Sequence, residues 1–389
     1  MIKRFVITHR AHKERVRNLK RGITMRNLLS LFLGLLVATA FVAGPGSANA
    51  KEYLLTTTKP NSLVLIDAAA RKVVRTLEMP GDGAPMSVVA SPDGNTAYVL
   101  TNRLGSIVGI DLDSGATTFK AEFSTETLRV RGMFGMDISP DGKEIFVIQS
   151  SVKLGKGEYE VQEPRVAVYN TGDGNKAQPV RIFPAPHRVS NMFMSTDGKT
   201  LYLNTWDIHA MDPQTGKIKE IIRTANWDRK NFIPPDIFGV WAQYEQAQSF
   251  VNPYFTLDTS KDMMDPTAWK TGMLVFDLDT GKLVMEDFED TAAIIFSSVR
   301  NPVRRNEVYG VYTTLSKIDL DTDKLVSRQD LDHTYYAVNI SSDGKEIYVG
   351  GTMNDIAIYD TKTMKKIDEI VLKSGNDMGI SWLRTVQRQ

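Results

Sequence analysis

The apolar residues of this chain fall in short runs of strand length, and a recurring set of polar residues ends each run. One unit is a strand closing on Asp, then a polar turn, then a second strand. It appears as Ile66-Asp67 with Arg71-Lys72, Ile110-Asp111 with Ser114-Gly115, and Met211-Asp212 with Thr215-Gly216-Lys217. It recurs as Phe276-Asp277 with Thr280-Gly281-Lys282, Ile318-Asp319 with Thr322-Asp323-Lys324, and Tyr359-Asp360 with Thr363-Met364-Lys365. A further copy, Tyr169-Asn170 with Gly172 and Gly174, carries Asn in place of Asp. The seven copies are spaced by 44, 59, 42, 65, 42 and 41 residues. Their Asp residues read as turn formers whose side chains bond the local backbone.

A second unit lies between these copies: Ser91-Pro92-Asp93-Gly94, Ser139-Pro140-Asp141-Gly142, Ser195-Thr196-Asp197-Gly198 and Ser341-Ser342-Asp343-Gly344. An alternating strand precedes each one, and another follows, such as Glu144-Ile145-Phe146-Val147. Pro presets φ and Gly accepts positive φ, so these are hairpin turns. Degenerate copies lie near 242–248 and 301–307. Two hairpins per period of about 42 residues make four strands per blade, and seven periods predict an all-β, seven-bladed β-propeller of four-stranded antiparallel blades. The first blade lacks its leading strand, because the chain enters directly at 53–57. Residues 380–386 are expected to supply that strand and to join the two ends in one blade.

The repeat also sorts the connections. With the strands called A to D from the axis outwards, the Ser-Pro-Asp-Gly turns join A to B and the Asp-ended turns join C to D, all on one face. The B–C and D–A connections share the other face. The two long spacings place insertions at 150–163, 223–235 and 256–271, all on that second face. Long loops on one face of a rigid scaffold usually carry function. Residues 223–270 hold nine aromatics in 48 positions, about twice the chain average. Phe238 and Trp241, with Phe250 and Phe255, fit the packing of the fifth blade. Trp227, Phe232 and Trp269 lie in the connections and point to an interface or pocket.

Charge sharpens the picture at the N-terminus. Residues 1–50 hold nine of the 47 Lys and Arg but one of the 46 Asp and Glu, which leaves 38 bases against 45 acids, a net −7, for 51–389. An apolar run at 28–43 follows Arg26 and ends before Ala48-Asn49-Ala50, the pattern of an export signal. A membrane anchor is the alternative, although 16 residues is short for a span. Met25 offers an internal start that gives a signal of ordinary length. Residues 1–50 are thus read as a signal peptide and 51–389 as a propeller acting in the periplasm, with no membrane segment after cleavage. The chain has no Cys, so it forms no disulfide, no thiolate metal site and no c-type haem attachment. The charge balance gives no sign of nucleic-acid binding.

Catalytic constellations are sparse. The propeller region holds three His, His187, His209 and His333, with no Gly-x-Ser-x-Gly elbow and no phosphate loop. One segment stands out: Leu331-Asp332-His333-Thr334-Tyr335-Tyr336, the D–A connection into the last blade. It places Asp332 and His333 on the elaborated face, expected near the axis. His333 is read either as a structural imidazole held by Asp332 or a carbonyl, or as a contact to a substrate or partner. Adjacent tyrosines point to opposite faces of a strand, so one of Tyr335 and Tyr336 packs between blades.

The same segment, with Gly350-Gly351-Thr352, Asn354-Asp355 and Ala357, resembles the β subunit of quinohemoprotein amine dehydrogenase. Trp227-Asp228-Arg229, Pro235-Asp236, Trp241 and the ending Gly375-Asn376-Asp377-Met378 are similar too. The likeness is diffuse in the first half and sharper after residue 225. It implies a periplasmic complex that oxidatively deaminates primary amines. A small subunit would carry a tryptophan-derived quinone and thioether bridges, and a di-haem cytochrome c subunit would pass electrons to a soluble acceptor. The propeller would carry no cofactor and no catalytic residue. It would hold the small subunit and wall the substrate cavity through Asp332, His333, Tyr335, Tyr336, Trp227, Phe238, Trp241 and Asn354. From the residues alone, a stand-alone exported binding or surface propeller and a lactonase-type hydrolase remain the competing readings.

Overall fold

The computed structural model describes residues 50–237, 239–241, 243–291, 293–372 and 377–389. The expected signal peptide, Phe238 and the Gly375-Asn376 pair lie outside the described residues. Seven antiparallel sheets form the structure. Blade 1 consists of β1 (Lys51–Thr58), β2 (Ser62–Asp67) and β3 (Lys72–Glu78), with β29 (Leu383–Arg388) added beside β1. Blade 2 is β4 (Val88–Ala90), β5 (Thr96–Thr101), β6 (Ser106–Asp111) and β7 (Thr117–Glu122). Blade 3 is β8 (Leu128–Ile138), β9 (Glu144–Leu154), β11 (Arg165–Asn170) and β12 (Arg181–Pro184), and β10 (Tyr159–Val161) pairs with the far end of β9. Blade 4 is β13 (Asn191–Met194), β14 (Leu201–Asn204), β15 (Ile208–Met211) and β16 (Ile218–Ile222). Blade 5 is β17 (Asp236–Ile237), β18 (Ser249–Leu257), β19 (Trp269–Asp277) and β20 (Leu283–Glu289). Blade 6 is β21 (Ser297–Arg300), β22 (Glu307–Val311), β23 (Thr314–Asp319) and β24 (Lys324–Asp330). Blade 7 is β25 (Ala337–Ile340), β26 (Glu346–Gly350), β27 (Asp355–Asp360) and β28 (Lys366–Val371). The chain is a seven-bladed β-propeller.

The repeated turns act as their chemistry dictates. In the A–B turns the serine hydroxyl donates to the Asp two residues on and accepts the N–H that opens strand B. This holds for Ser91, Ser139, Ser195 and Ser341. The glycine of each turn takes positive φ, for example 72° at Gly94, where a Cβ would also strike the Gln387 carbonyl. In the C–D turns the Asp carboxylate accepts the N–H three residues ahead, as Asp111, Asp212, Asp277, Asp319 and Asp360 do. Such bonds favour the carboxylate form. The Lys199 amide and the Ser195 hydroxyl hold Asp197 down at about 2.

The core lies between blades, where the inner-facing residues of β2, β5, β9, β18 and their counterparts bury Leu, Ile, Val, Tyr and Phe. The ring closes as expected, with the terminal strand displaced: Leu383–Arg388 rather than 380–386 pairs with β1, from Thr56↔Leu383 to Lys51↔Arg388. Just before β29, the Ser381 hydroxyl accepts the Thr57 N–H at 2.9 Å and lies 2.7 Å from the Thr57 hydroxyl. The Trp382 ring is fully buried, with the Arg384 guanidinium 4.7 Å from its centroid.

Two expected loops are strand extensions. The 150–163 insertion prolongs β9 and folds back as β10. The 256–271 insertion prolongs β18 and β19 into a nine-residue hairpin paired from Ser249↔Asp277 to Leu257↔Trp269. Hairpins satisfy their own backbone groups, which long irregular loops leave to solvent. Residues 223–235 remain irregular apart from the Phe232↔Asp258 bridge.

Because β29 closes the ring, Trp382→Ala is expected to lower the unfolding free energy by about 3–5 kcal/mol. Urea denaturation followed by tryptophan fluorescence and far-UV circular dichroism checks this, and an unchanged midpoint would refute it.

Candidate functional site

The face bearing the B–C and D–A connections carries a stack of aromatic rings. Phe296 and Tyr336 occupy equivalent positions, each one residue before the inner strand of consecutive blades. Each donates its N–H to the neighbouring strand of its blade, Phe296 to the Val311 carbonyl and Tyr336 to the Gly350 carbonyl. That repeat brings their rings together at 5.1 Å and 28°. Tyr312, in the B–C turn of blade 6, stacks on Phe296 at 4.0 Å and 25°. Trp241, nearly fully buried, lies 6.0 Å from Phe296 at 15° and 5.5 Å from Tyr336. The four rings form a slab whose edge residues Phe296, Tyr312 and Tyr336 are half-buried. Of the two adjacent tyrosines, Tyr336 faces this slab. Tyr335 is fully buried in the apolar cluster between blades 6 and 7.

Tyr335 anchors a second group. Its hydroxyl donates to Asp355 Oδ2 at 2.5 Å, and His333 Nε2 lies 2.9 Å from Asp355 Oδ1. His333 Nδ1 is 2.9 Å from the Thr334 carbonyl, and its ring packs 4.0 Å from that of Tyr335. Burial pushes the Tyr335 hydroxyl up, and the Asp355 carboxylate adds to this, so Tyr335 stays protonated. His333 is thus held by Asp355 and a carbonyl, not by Asp332.

Asp332 departs from its expected position near the axis. Its carboxylate pairs with Lys366 at 2.6 Å, at the start of β28, the outermost strand of blade 7, and is 64% exposed. The connection crosses from β24 on the rim of blade 6 to β25 at the axis, so its early residues lie far out. The Lys366 ammonium holds Asp332 below the ordinary carboxylate range. Asn354, at the end of the B–C turn of blade 7, extends the β27–β28 pairing by donating to the Leu372 carbonyl at 3.2 Å, while its own carbonyl accepts the Leu372 N–H.

Trp227 sits apart from the slab, in the irregular D–A connection into blade 5. Its ring meets Tyr254 edge-on at 5.5 Å. Arg229 binds Asp287 of β20 through both guanidinium ends, at 2.8 and 2.6 Å, and its guanidinium lies 3.6 Å from the Phe232 ring centroid. The Tyr254 hydroxyl donates to Asp287 Oδ1 at 2.7 Å. Burial alone would push Asp287 up, but the bonds from Arg229 and Tyr254 outweigh it and hold the carboxyl below its usual value. This network fixes the connection that leads to Trp241.

The structure thus gathers Trp241 and Tyr336, joins His333 to Tyr335 through Asp355, and leaves Asp332, Trp227 and Asn354 in separate surroundings. Sequence reading missed Phe296 and Tyr312. The signal available was the alignment of Ile295-Phe296-Ser297 with Tyr335-Tyr336-Ala337. The same face exposes Trp206, Met263, Met264, Ile294 and Met353. Arg188 lies over the exposed Trp206 ring at 3.2 Å. These exposed apolar side chains share the face with the slab. Among the described residues, no three or more His, Cys, Asp or Glu side chains group to hold a metal ion. No helix of the described residues is long and apolar enough to cross a membrane.

No protein-family model matches this chain, and no curated protein matches it significantly. Solved structures do. A chain of Kuenenia stuttgartiensis hydrazine synthase aligns with a TM-score of 0.53 at 17% identity, over 80% of this chain and 90% of that one. Apo AztD from Citrobacter koseri aligns at 0.52 and 14%, over 88% and 99%. A functionally unknown protein from Desulfotomaculum acetoxidans aligns at 0.57 and 10%, over 87% and 100%. At these identities the likeness is one of fold. The class defined by fold and site together is a seven-bladed propeller with one aromatic, loop-bearing face.

The Asp287 network makes a pH prediction. A carboxyl lowered on folding lends stability that is complete above its unfolded value, about 3.9, and is lost as pH falls through the lower folded value. Asp287→Asn is therefore expected to lower the melting temperature at pH 7, with the gap to the parent protein closing below about pH 4. Melting curves from pH 3 to 7 test this, and a gap that stays constant with pH would count against it.

Proposed function

We propose that this chain is the non-catalytic propeller subunit of a periplasmic quinohemoprotein amine dehydrogenase. The observation that carries the reading is the aromatic slab of Trp241, Phe296, Tyr312 and Tyr336. It is built partly from the segments, around Trp241 and Leu331-Asp-His-Thr-Tyr-Tyr336, whose sequences resemble that family's β subunit. The exposed apolar side chains on the same face suit a surface that receives another subunit.

The division of labour follows from chemistry. With no Cys, the chain offers no attachment for c-type haem, so in this reading the haems belong to a partner chain, and the resemblance assigns the tryptophan-derived quinone to the small subunit. The quinone, when its subunit is bound, supplies the electrophile and electron sink for oxidation of a primary amine. This chain's residues act on shape and solvent. The slab presents flat apolar faces to the substrate cavity and excludes water from it. Arg229 and Asp287 hold the connection that carries Trp241. His333 and Tyr335, tied to Asp355, set the backbone that presents Tyr336. None of these side chains is assigned a proton transfer.

Expression with its neighbouring genes in a periplasmic host is the test. The expected result is co-purification with one haem-staining chain and one small chain that stains for quinone redox cycling. A monomer with neither companion would sink the assignment and favour a stand-alone binding propeller. In the assembled complex, Tyr336→Ala is expected to raise the apparent KM for a primary amine about tenfold, the effect of one lost apolar contact of 1–2 kcal/mol. In that complex His333→Ala is expected to retain turnover. Complete loss with the quinone intact would show that His333 is a catalytic residue.

A further inference from the structure

The propeller axis holds a second site, at the end away from the aromatic slab. A cavity of about 450 Å³ opens among the A–B turns of blades 2 to 4 and is closed on its far side by residues 244–248, the irregular inner stretch of blade 5. Arg384, from β29, forms its floor and is 5% exposed. Its Nη1 donates to Glu245 Oε2 at 2.8 Å and its Nε to the Val88 carbonyl at 3.2 Å. The guanidinium also lies 5.0 Å from the Tyr244 ring centroid. Nη2 has no acceptor among the described residues, which leaves one guanidinium donor free for a molecule in the cavity.

The rim offers the complementary groups. Gln246 and Gln387 donate their amide N–H groups to Glu52, and Gln248 donates to the Glu245 carbonyl. The amide oxygens of all three are without a protein donor among the described residues. Arg384, the three glutamines, Tyr244, Pro92 and Pro140 all line the cavity, so a donor and three amide oxygens are available to a molecule in it.

Charge selects among ligands. Arg384 is already neutralised by Glu245, which also accepts from Asn339 and Thr385. Asp137, buried beside them, accepts the Ile138 and Met194 N–H groups. Burial pushes its carboxyl up. A bound carboxylate would lie beside Glu245, which already neutralises Arg384, and a bound ammonium would face Arg384. A neutral molecule with hydroxyl groups meets neither cost. Its C–H faces suit the Tyr244 and proline rings.

We infer that the axial cavity is a binding site for a small neutral polyhydroxylated molecule, a single sugar or a polyol, held by Arg384 Nη2 and the amide oxygens of Gln246, Gln248 and Gln387. This site is independent of the amine dehydrogenase reading. It lies on the opposite face and needs no partner subunit.

The test is saturation-transfer NMR and calorimetric titration of the purified chain with D-glucose, D-galactose and myo-inositol, against acetate and methylammonium. At least one of the three polyols is expected to saturate, with affinity falling about tenfold in Gln246→Ala and in Gln248→Ala, a loss of about 1.4 kcal/mol. Both rim variants are expected to melt as the parent does, which removes misfolding as the cause. Arg384→Lys is expected to abolish binding, and its melting curve shows whether it folds. The inference is overturned if no polyol saturates, if acetate or methylammonium binds more tightly, or if polyol binding is unchanged in both folded rim variants.

Discussion

The structure depends on one seam. Each blade buries both of its faces against its neighbours, so an open ring would expose two apolar sheet faces and a free inner edge. The chain closes the ring by building blade 1 from both of its ends. Six residues of β29 pair with β1, and the paired bonds of Ser381 with Thr57 lock the join from the inside. Trp382 fills the space behind it. The seam also supplies Arg384 to the axis, so the contact that closes the fold places a charge at its centre.

With the ring closed, the two ends of the axis differ in character. The inner strands run from the loop-bearing face to the A–B turns. Residues that enter these strands, Phe296 and Tyr336, gather as aromatic rings, while residues that leave them are polar or charged. Blade 5 links the two ends. Its inner strand is reduced to β17, and the freed stretch contributes Trp241 to the slab at one end and Tyr244 and Glu245 to the cavity at the other. Glu245 bonds strands of both blade 7 and blade 1, so this irregular segment also stitches the axis.

The fold was legible because its signals are local. The Ser-Pro-Asp-Gly turns and the Asp-ended turns act within five residues, through side-chain bonds to their own backbone and glycines at positive φ. Their spacing counted the blades. The insertions were visible as lengths, but their hairpin form was not, because strand pairing in 256–271 depends on a partner that spacing does not specify. The site was legible only in part. The adjacent Tyr335 and Tyr336 announced opposite orientations. Which one faced the axis depended on where the Phe296 and Tyr312 rings lay, one blade away.

The amino-acid sequence by itself determined the number of blades, the order of turns, the elaborated face and the absence of thiol chemistry. Each of these rests on residue identity and on interactions between near neighbours in the chain. The tertiary structure alone decided that Asp332 lies at the rim beside Lys366, that His333 answers to Asp355, that four rings from three blades form one slab, and that Arg384 meets Glu245 at the axis. Those contacts join residues from 16 to 139 positions apart. Their partners are set by the closure of the ring, which no local pattern encodes.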